Sequence, residues 1–410
     1  MKKRIIIGLT VLVLLLTALL AISCGKQETV VLNVYNWGEY ISDGSDESID
    51  VNEEFELYCA SLGYDVEVNY MMFDSNESMY NKLKTGAVSY DVVIPSDYMI
   101  ARMRDEGMLR ELNYANIPNF VNVDADYLNP YYDPEQKYTV PYFVGIVGII
   151  YNSKHVSEED IGGWDLMWNE KYSGKILQFN NSRDAFGTAM FKNGDSVNVT
   201  DKETWEKALV ELKAQKPMLQ AYVMDEIFNK METGSAWIAP YYAGDFLSMY
   251  EENPDLRFYY PEGGTNIFAD AMCIPANAAN PEIAEMYINF MLNPEIGAAN
   301  SEFVYYATPN TLVNSDTDYI EYMESVYEGA MDILAPEFPE GYRLEYYHNF
   351  SDETLVMVNS LWEQLKIDSG SDDGSIADIG VYVTCIVIVT AVVAGFTVRY
   401  VIHRKRRRYY

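Results

Sequence analysis

Short apolar runs alternate with amphipathic stretches through the first part of the chain. The runs at residues 31–35, 66–72 and 91–94 have the length and the β-branched composition of strands. The stretches at residues 48–62 and 76–85 have helical character, and each is followed by a glycine. The buried face of the first helix is expected to carry Phe55, Leu57, Tyr58 and Leu62. Repeated strand–helix units predict a parallel sheet with helices on both faces.

The same alternation resumes after a long apolar run at residues 138–152, which predicts a crossing into a second lobe. Another run at residues 267–275 predicts the return strand. Two α/β lobes joined by more than one crossing enclose a cleft, and small ligands bind in such clefts. The expected boundaries are 28–138 with 269–308 for the first lobe and 139–268 with 309–366 for the second.

Both ends of the chain carry long apolar segments. Residues 1–4 are basic, residues 5–22 are almost wholly apolar and Cys24 follows, which together predict a secretory signal over residues 1–24. The segment 20–24 resembles the lipobox of bacterial lipoproteins, so Cys24 is the expected lipidation site. Plain cleavage and an uncleaved anchor remain open alternatives.

Residues 379–398 are rich in Val and Ile and contain no charge, which predicts a C-terminal transmembrane helix. A flexible linker at 367–378 precedes this segment, and a basic tail at 399–410 follows it. Basic residues favour the cytoplasmic side, so the tail is expected there. The expected location of the body is the outer face of the bacterial cytoplasmic membrane, held by the lipid, by the helix or by both.

The body of the chain is strongly acidic and offers little for catalysis. The net charge is −33, and all 62 acidic residues lie between Glu28 and Asp378. Such a field repels nucleic acid and attracts cations, so no nucleic-acid partner is expected. The sequence has 3 histidines and lacks a phosphate-binding loop and a nucleophile elbow. Cys59 and Cys273 lack metal-site spacing and are expected to be buried thiols. We therefore expect no enzyme, no cofactor and no resident metal.

Trp37, Glu39 and Tyr40 follow the first strand, at the end where ligands bind in open α/β sheets. A carboxylate between two aromatic rings suits a cation, because the ring faces attract positive charge. The alternative is that both rings lie at the rim of an ordinary core.

Five segments occur in an order that resembles the spermidine/putrescine-binding proteins of bacterial ABC importers. They are Tyr-Asn-Trp-Gly-Glu-Tyr at 35–40, Asn-Glu-Ser-Met-Tyr-Asn-Lys-Leu-Lys at 76–84, Tyr-Asp-Val-Val-Ile-Pro-Ser-Asp-Tyr at 90–98, Asp-Ala-Met-Cys-Ile-Pro-Ala-Asn-Ala at 270–278 and Tyr-Ala-Thr-Pro-Asn at 306–310. The resemblance implies a type II periplasmic-binding fold, with two lobes that are each a mostly parallel sheet flanked by helices. It also implies a protein that closes on a linear polyamine and delivers it to ABC permease subunits, and we expect a monomer.

The same resemblance assigns ligand-binding residues. They are Trp37, Glu39, Tyr40, Ser96, Tyr98, Asn181, Asp184, Tyr242, Phe268, Asp270, Tyr306 and His348. Asp270 takes the place of the family's central carboxylate, whereas Asn181 stands where the family often has an aspartate. The last position falls on Tyr347 or His348.

Several alternatives stay open at this point. Tyr242, Phe268 and Tyr306 could each belong to the core, because tyrosine and phenylalanine are abundant in this chain. A ferric-iron-binding protein of similar fold could use the phenolates at 241–242 and 305–306, completed by Glu39 or His348. A membrane-tethered polyamine sensor is a further alternative.

Overall fold

The first strands form one parallel part of the sheet. In a computed structural model that describes residues 29–367, β1 (Val30–Trp37) pairs in parallel with β2 (Val66–Phe73) and with β3 (Val92–Val93). The helices of this part are α1 (Val51–Ser61), α2 (Asn76–Thr85) and α3 (Asp97–Asp105). Strand and helix therefore alternate here as the apolar pattern predicts.

Two long strands cross the middle of the molecule. β4 (Thr139–Asn152) and β9 (Thr265–Cys273) are antiparallel, and β9 also meets β3 at Cys273. The second half of β4 pairs with β7 (Ile238–Tyr242) and β8 (Leu256–Tyr259). Since both faces of β4 are covered, nearly all of its residues are buried. β4 is thus hydrogen-bonded to both halves of the sheet.

The far part of the sheet is again mainly parallel. β5 (Ile176–Phe179) pairs in parallel with β6 (Leu219–Val223) and with β7. The strand order is β2-β1-β3-β9-β4-β7-β5-β6, with β8 beside β4 and β10 (Leu344–Glu345) beside β9. The helices that accompany these strands are α4 (Ser182–Asn193), α5 (Lys202–Gln215), α6 (Ile227–Glu232) and α7 (Ala243–Glu252).

The helices after β9 pack on both halves of the molecule. They are α8 (Pro281–Met291), α9 (Pro294–Val304), α10 (Thr311–Asn314), α11 (Thr317–Val326), α12 (Ala330–Leu334) and α13 (Asp352–Ile367). Tyr287 of α8 packs edge-on against Phe55 of α1, with ring centres 5.0 Å apart. Trp362 of α13 packs on Phe186 of α4. The described part of the chain therefore returns to the first half before α13 packs on the second.

The expected two-lobed α/β fold is confirmed, but one part of the predicted fold class is wrong: a C-terminal transmembrane helix is not supported. Within residues 29–367, no helix combines the length and the apolar character that a membrane crossing requires. α13, for example, has 16 residues and carries charges, whereas a span needs ~20 apolar residues. The predicted segments 1–24, 379–398 and 399–410 lie outside the described residues. The lobe boundaries stay a prediction.

The buried stripe of α1 differs from the predicted one. Asp50 caps the helix, which therefore begins at Val51 and buries Val51, Phe55 and Cys59 at four-residue intervals. Three residues expected on this face are instead exposed: Leu57, Tyr58 and Leu62. Cys59 and Cys273 are buried free thiols, as expected.

Candidate functional site

A cleft lies where the carboxyl ends of two sets of parallel strands face each other. The loops after β1, β2 and β3 line one side, and those after β5, β6 and β7 line the other. The cleft encloses ≈ 1020 Å³, the solvent at its mouth included. Of the residues that the sequence analysis expects at the site, all except His348 line this cleft.

Asp270 is a buried carboxylate in the wall that β9 contributes. It is 3% exposed, and its Oδ2 accepts a hydrogen bond from the Tyr40 hydroxyl at 2.8 Å. Its Oδ1 has no hydrogen-bond partner of good geometry within residues 29–367. Burial raises the pKa of Asp270 to about 7, although the hydroxyls of Ser96 and Tyr40 favour the charged form. Asp270 is thus a buried carboxylate of the cleft lining with one oxygen that lacks a well-formed hydrogen bond.

Asp184 forms a second acidic point on the opposite side. The Tyr242 hydroxyl donates to Asp184 Oδ2 at 2.8 Å, and the Asn181 side-chain amide donates to the same oxygen at 2.7 Å. The Asn181 Oδ1 accepts the Asp184 backbone N–H at 2.8 Å and so caps α4. Burial raises the pKa of Asp184, and these hydrogen bonds oppose the rise. Position 181 thus serves the helix start as well as the cleft.

Glu39 stands at the mouth of the cleft in an unusual backbone conformation. Its φ is 50°, in the left-handed region, which costs an L-residue roughly 1–2 kcal/mol. Burial raises the pKa of Glu39, and the nearby carboxylates of Asp225 and Asp43 raise it further. Beside it, Trp37 packs on Phe73 with ring centres 4.5 Å apart. The loop after β1 therefore places an acid next to an aromatic wall, as the sequence predicts.

Aromatic rings form walls between the acidic points. The rings of Tyr40 and Tyr306 lie 5.0 Å apart, edge to face, and those of Tyr242 and Phe268 lie 5.2 Å apart. Tyr306 reaches the cleft because the preceding residue, Tyr305, ends α9 in the left-handed conformation. These rings line the cleft and are not confined to a core, so the alternative raised for Tyr242, Phe268 and Tyr306 is not favoured.

The first turn of α3 adds polar groups. Ser96 precedes α3 without a side-chain capping hydrogen bond, which leaves its hydroxyl available to Asp270. The Tyr98 hydroxyl donates to Glu77 Oε1 at 3.0 Å and accepts from the Asn76 side-chain amide at 3.1 Å. Tyr98 is therefore held in place by the first turn of α2.

Sequence reasoning missed further acidic residues of the cleft lining: Asp74, Glu77, Asp97, Asp225 and Asp245. The Tyr306 hydroxyl donates to Asp245 Oδ2 at 2.9 Å. Burial raises the pKa of Asp245 to about 8, and Asp225 and Glu39 add to the rise. A usable signal existed, because Asp74, Asp225 and Asp245 each come within three residues of the end of a strand.

Arg183 is a cation buried beside this acidic cleft, yet it does not neutralise it. The residue is 6% exposed, and its guanidinium lies 3.9 Å from the ring centre of Phe350 and 4.7 Å from that of Tyr98. Within residues 29–367, no lysine or arginine forms an ion pair with a carboxylate of the cleft lining. Arg183 is the one lysine or arginine among the described residues that line the cleft, so carboxyl groups outnumber cationic side chains there.

The last predicted position belongs to Tyr347 and not to His348. His348 is exposed, and its ring packs on Tyr131 at 4.8 Å outside the cleft. Tyr347 lines the cleft, and its hydroxyl donates to the Arg183 backbone carbonyl at 3.1 Å. The two neighbours point in opposite directions, which sequence alone does not reveal.

Comparison with known proteins agrees with this geometry. Residues 89–323 match the family of bacterial extracellular solute-binding proteins. The chain belongs to this family. This solute-binding protein is 34% identical over 282 residues to the spermidine/putrescine-binding periplasmic protein of Escherichia coli, which covers 68% of the chain and 77% of the relative.

Solved structures give the same result for the solute-binding protein. A Listeria monocytogenes protein assigned to spermidine/putrescine ABC transport superposes with a TM-score of 0.72 and 32% identity, over 82% of this chain and 98% of that one. The ABC transporter substrate-binding protein PotD of Streptococcus pneumoniae gives 0.66 and 32%, over 82% and 99%. Such relatives are binding components of ABC transporters and not enzymes, and they act outside the cytoplasm.

Proposed function

We propose that this solute-binding protein captures a linear polyamine of the spermidine or putrescine type in its cleft and delivers it to an ABC permease outside the cytoplasm. The observation that carries the proposal is the state of Asp270, a buried carboxylate with one unused oxygen between aromatic walls. An unpaired buried carboxylate is costly, so the site favours a partner that brings positive charge. The names of its relatives support the same ligand class.

The chemistry of a polyamine matches the order of groups in the cleft. A polyamine is a row of ammonium groups separated by methylenes. Carboxylates can pair with the ammonium groups, and flat apolar walls can pack against the methylenes. Asp270 and Asp184 are the proposed ammonium partners, with the rings of Tyr242 and Phe268 between them as a wall. A charge-assisted hydrogen bond contributes about 1.5–3 kcal/mol, and a desolvated cation–π contact contributes about 2 kcal/mol.

Calorimetric titration of the purified protein with putrescine, spermidine and spermine tests the proposal. We expect saturable one-to-one binding of at least one of them, with much weaker binding of a monoamine such as butylamine. Absence of binding to all three at millimolar concentration would exclude the proposed ligand class.

Delivery requires the two lobes to close on the ligand and present one shape to the permease. We also propose that a lipid on Cys24 holds the protein outside the cell membrane, an inference that rests on the sequence of residues 20–24. We propose that the protein acts as a monomer.

The ferric-iron alternative loses part of its expected ligand set. His348 lies outside the cleft, and the hydroxyls of Tyr242 and Tyr306 each donate to a carboxylate. Of the expected phenolates, Tyr305 does not line the cleft, and its hydroxyl donates to Glu251 at 2.6 Å instead.

A further inference from the structure

Asp225 lies at the cleft mouth and faces the loop after β1 from the opposite side. It comes two residues after the end of β6, and no family motif assigned it. A Cβ atom placed on Gly38 would lie only 3.2 Å from Asp225 Oδ2, so this carboxylate reaches the backbone next to Glu39. Two carboxylates from opposite sides of the cleft therefore meet at its mouth.

Asn181, an uncharged residue of the cleft lining, lies close to Asp225. The family often has an aspartate there, but Asn181 carries no charge, and its amide is occupied. Its Oδ1 caps α4, and its Nδ2 donates to Asp184 and contacts Met224 Sδ at 3.6 Å. Met224 is the chain neighbour of Asp225. The uncharged side chain at position 181 and the carboxylate at position 225 are thus close together in space.

The surroundings of Asp225 point to a cationic ligand. Within the described part of the chain, neither Asp225 nor Glu39 forms an ion pair with a lysine or arginine. Asp270, which is 97% buried, lines the same cleft with an unpartnered oxygen. Like charges that face each other destabilise the contact between the two sides unless a cation lies between them.

We propose that Asp225 and Glu39 together bind one ammonium group of the polyamine, and that Asp225 supplies the negative charge that Asn181 lacks. This inference rests on the proposed function. The ammonium group neutralises both carboxylates and joins the two sides of the cleft, so contact across the mouth depends on an occupied site.

Spermidine binding to the full-length protein and its variants tests this role. D225N should weaken spermidine binding roughly tenfold to a hundredfold, because it removes one charge-assisted hydrogen bond. Most of the change should be a faster dissociation rate, since the contact forms only in the complex. E226Q is the matched control, because it removes the adjacent charge outside the cleft lining and keeps an acceptor for the Met224 N–H. Its affinity should stay within about twofold of wild type.

The double variant N181D/D225N separates a specific contact from a general loss of negative charge. If Asp225 replaces the family's aspartate, the restored carboxylate at 181 should recover most of the lost affinity. An affinity of D225N equal to that of E226Q would overturn the inference, as would a loss that N181D does not repair. Melting temperatures of the ligand-free variants check that each is folded. Failure of the wild type to bind spermidine, putrescine or spermine would instead refute the proposed function.

Discussion

Asp270 illustrates how burial and function are coupled in a single side chain. Its carboxylate is 97% buried and holds one hydrogen bond of good geometry, from Tyr40. Burial alone would favour the neutral acid, and the raised pKa reflects this. A bound ammonium group reverses the balance, because it stabilises the charged form. The empty site is therefore less favourable at this residue than the occupied one.

Asp270→Asn should lower polyamine affinity by at least ~2 kcal/mol, since a neutral amide cannot pair with an ammonium group. Titration calorimetry with spermidine measures this change. Asp165→Asn is a suitable control, because Asp165 is 86% exposed on its side chain and lies outside the cleft. An unchanged affinity of Asp270→Asn would contradict the assigned role.

Putrescine affinity should increase as the pH rises from 6 to 8. The pKa values of Asp270 and Asp245 are raised by burial to about 7 and about 8, so both carboxylates gain charge in this range. The two primary amines of putrescine, like lysine, stay protonated there. Calorimetry across this range measures the trend. D245N should lose the part of the increase near pH 8, because Asp245 has the higher pKa of the two carboxyl groups. An affinity that falls with rising pH would contradict the assignment.

The pH has the opposite effect on the stability of the ligand-free protein, because the charged forms of Asp270 and Asp245 are unfavourable when buried. Their folded pKa values lie above the unfolded value of 3.8, so their stabilising effect is fully present below about pH 4. It is lost as the pH rises through about 7 and about 8. The rise in melting temperature induced by putrescine should accordingly be larger at pH 8 than at pH 6.

The site residues that the sequence identifies lie next to short motifs. The site residues that it does not identify reach the cleft only because distant parts of the chain come together. Trp37, Glu39 and Asp270 lie in or beside recognisable strands, so a local pattern finds them. Asp225 lies in the loop after β6, and Asp245 lies in the first turn of α7. Their nearness to a strand end is visible in the sequence, but their approach to the loop after β1 depends on the convergence of β6 and β7 with β1, which no local signal encodes.

At the scale of elements, the crossing of β4 and β9 shapes the aromatic wall. Gly145 of β4 lies under the ring of Phe268 on β9, and a Cβ atom at Gly145 would come within 2.2 Å of that ring. The missing side chain lets the ring lie flat on the strand. The position of the Phe268 ring in the cleft wall therefore depends on the absence of a side chain at Gly145.

Gly145→Ala should displace Phe268, reduce the free energy of unfolding by about 1–3 kcal/mol and weaken polyamine binding. Gly148→Ala is the matched control, because its Cβ would meet Phe258 at the same distance of 2.2 Å, away from the cleft lining. Chemical denaturation and calorimetry on both variants measure the two effects. Equal binding losses in both would mean that the wall position of Phe268 is unimportant.

The elements themselves were largely predictable, with errors that have physical causes. β4 and β9 were visible as long apolar runs because both are buried. The pattern predicts the wrong buried face for α1, because an exposed apolar residue such as Leu57 looks the same in sequence as one in the core. Only the packing of α8 on Phe55 decides which face is buried.

At the scale of the whole molecule, negative charge on both sides of the cleft opposes closure. The described contacts across the cleft include Asp225 near Gly38 and the Arg183 guanidinium over the ring of Tyr98. A cation in the cleft removes the repulsion that works against such contacts. Ligand binding and closure are then parts of one equilibrium.

Spermidine should therefore reduce the radius of gyration of the protein in small-angle X-ray scattering. Sodium chloride at equal ionic strength is the control, because it screens charge but carries no second positive group that could join two carboxylates. A radius that is the same with and without spermidine would argue against closure on the ligand.

The shared strand β4 has a consequence for how the protein unfolds. Proteins with two lobes often melt in steps, one lobe at a time. Here β4 hydrogen-bonds to β9 through its first half and to β7 and β8 through its second. Neither lobe can lose its sheet without exposing backbone groups of the other. The body should denature as a single cooperative unit, and limited proteolysis should not release either lobe as a stable fragment.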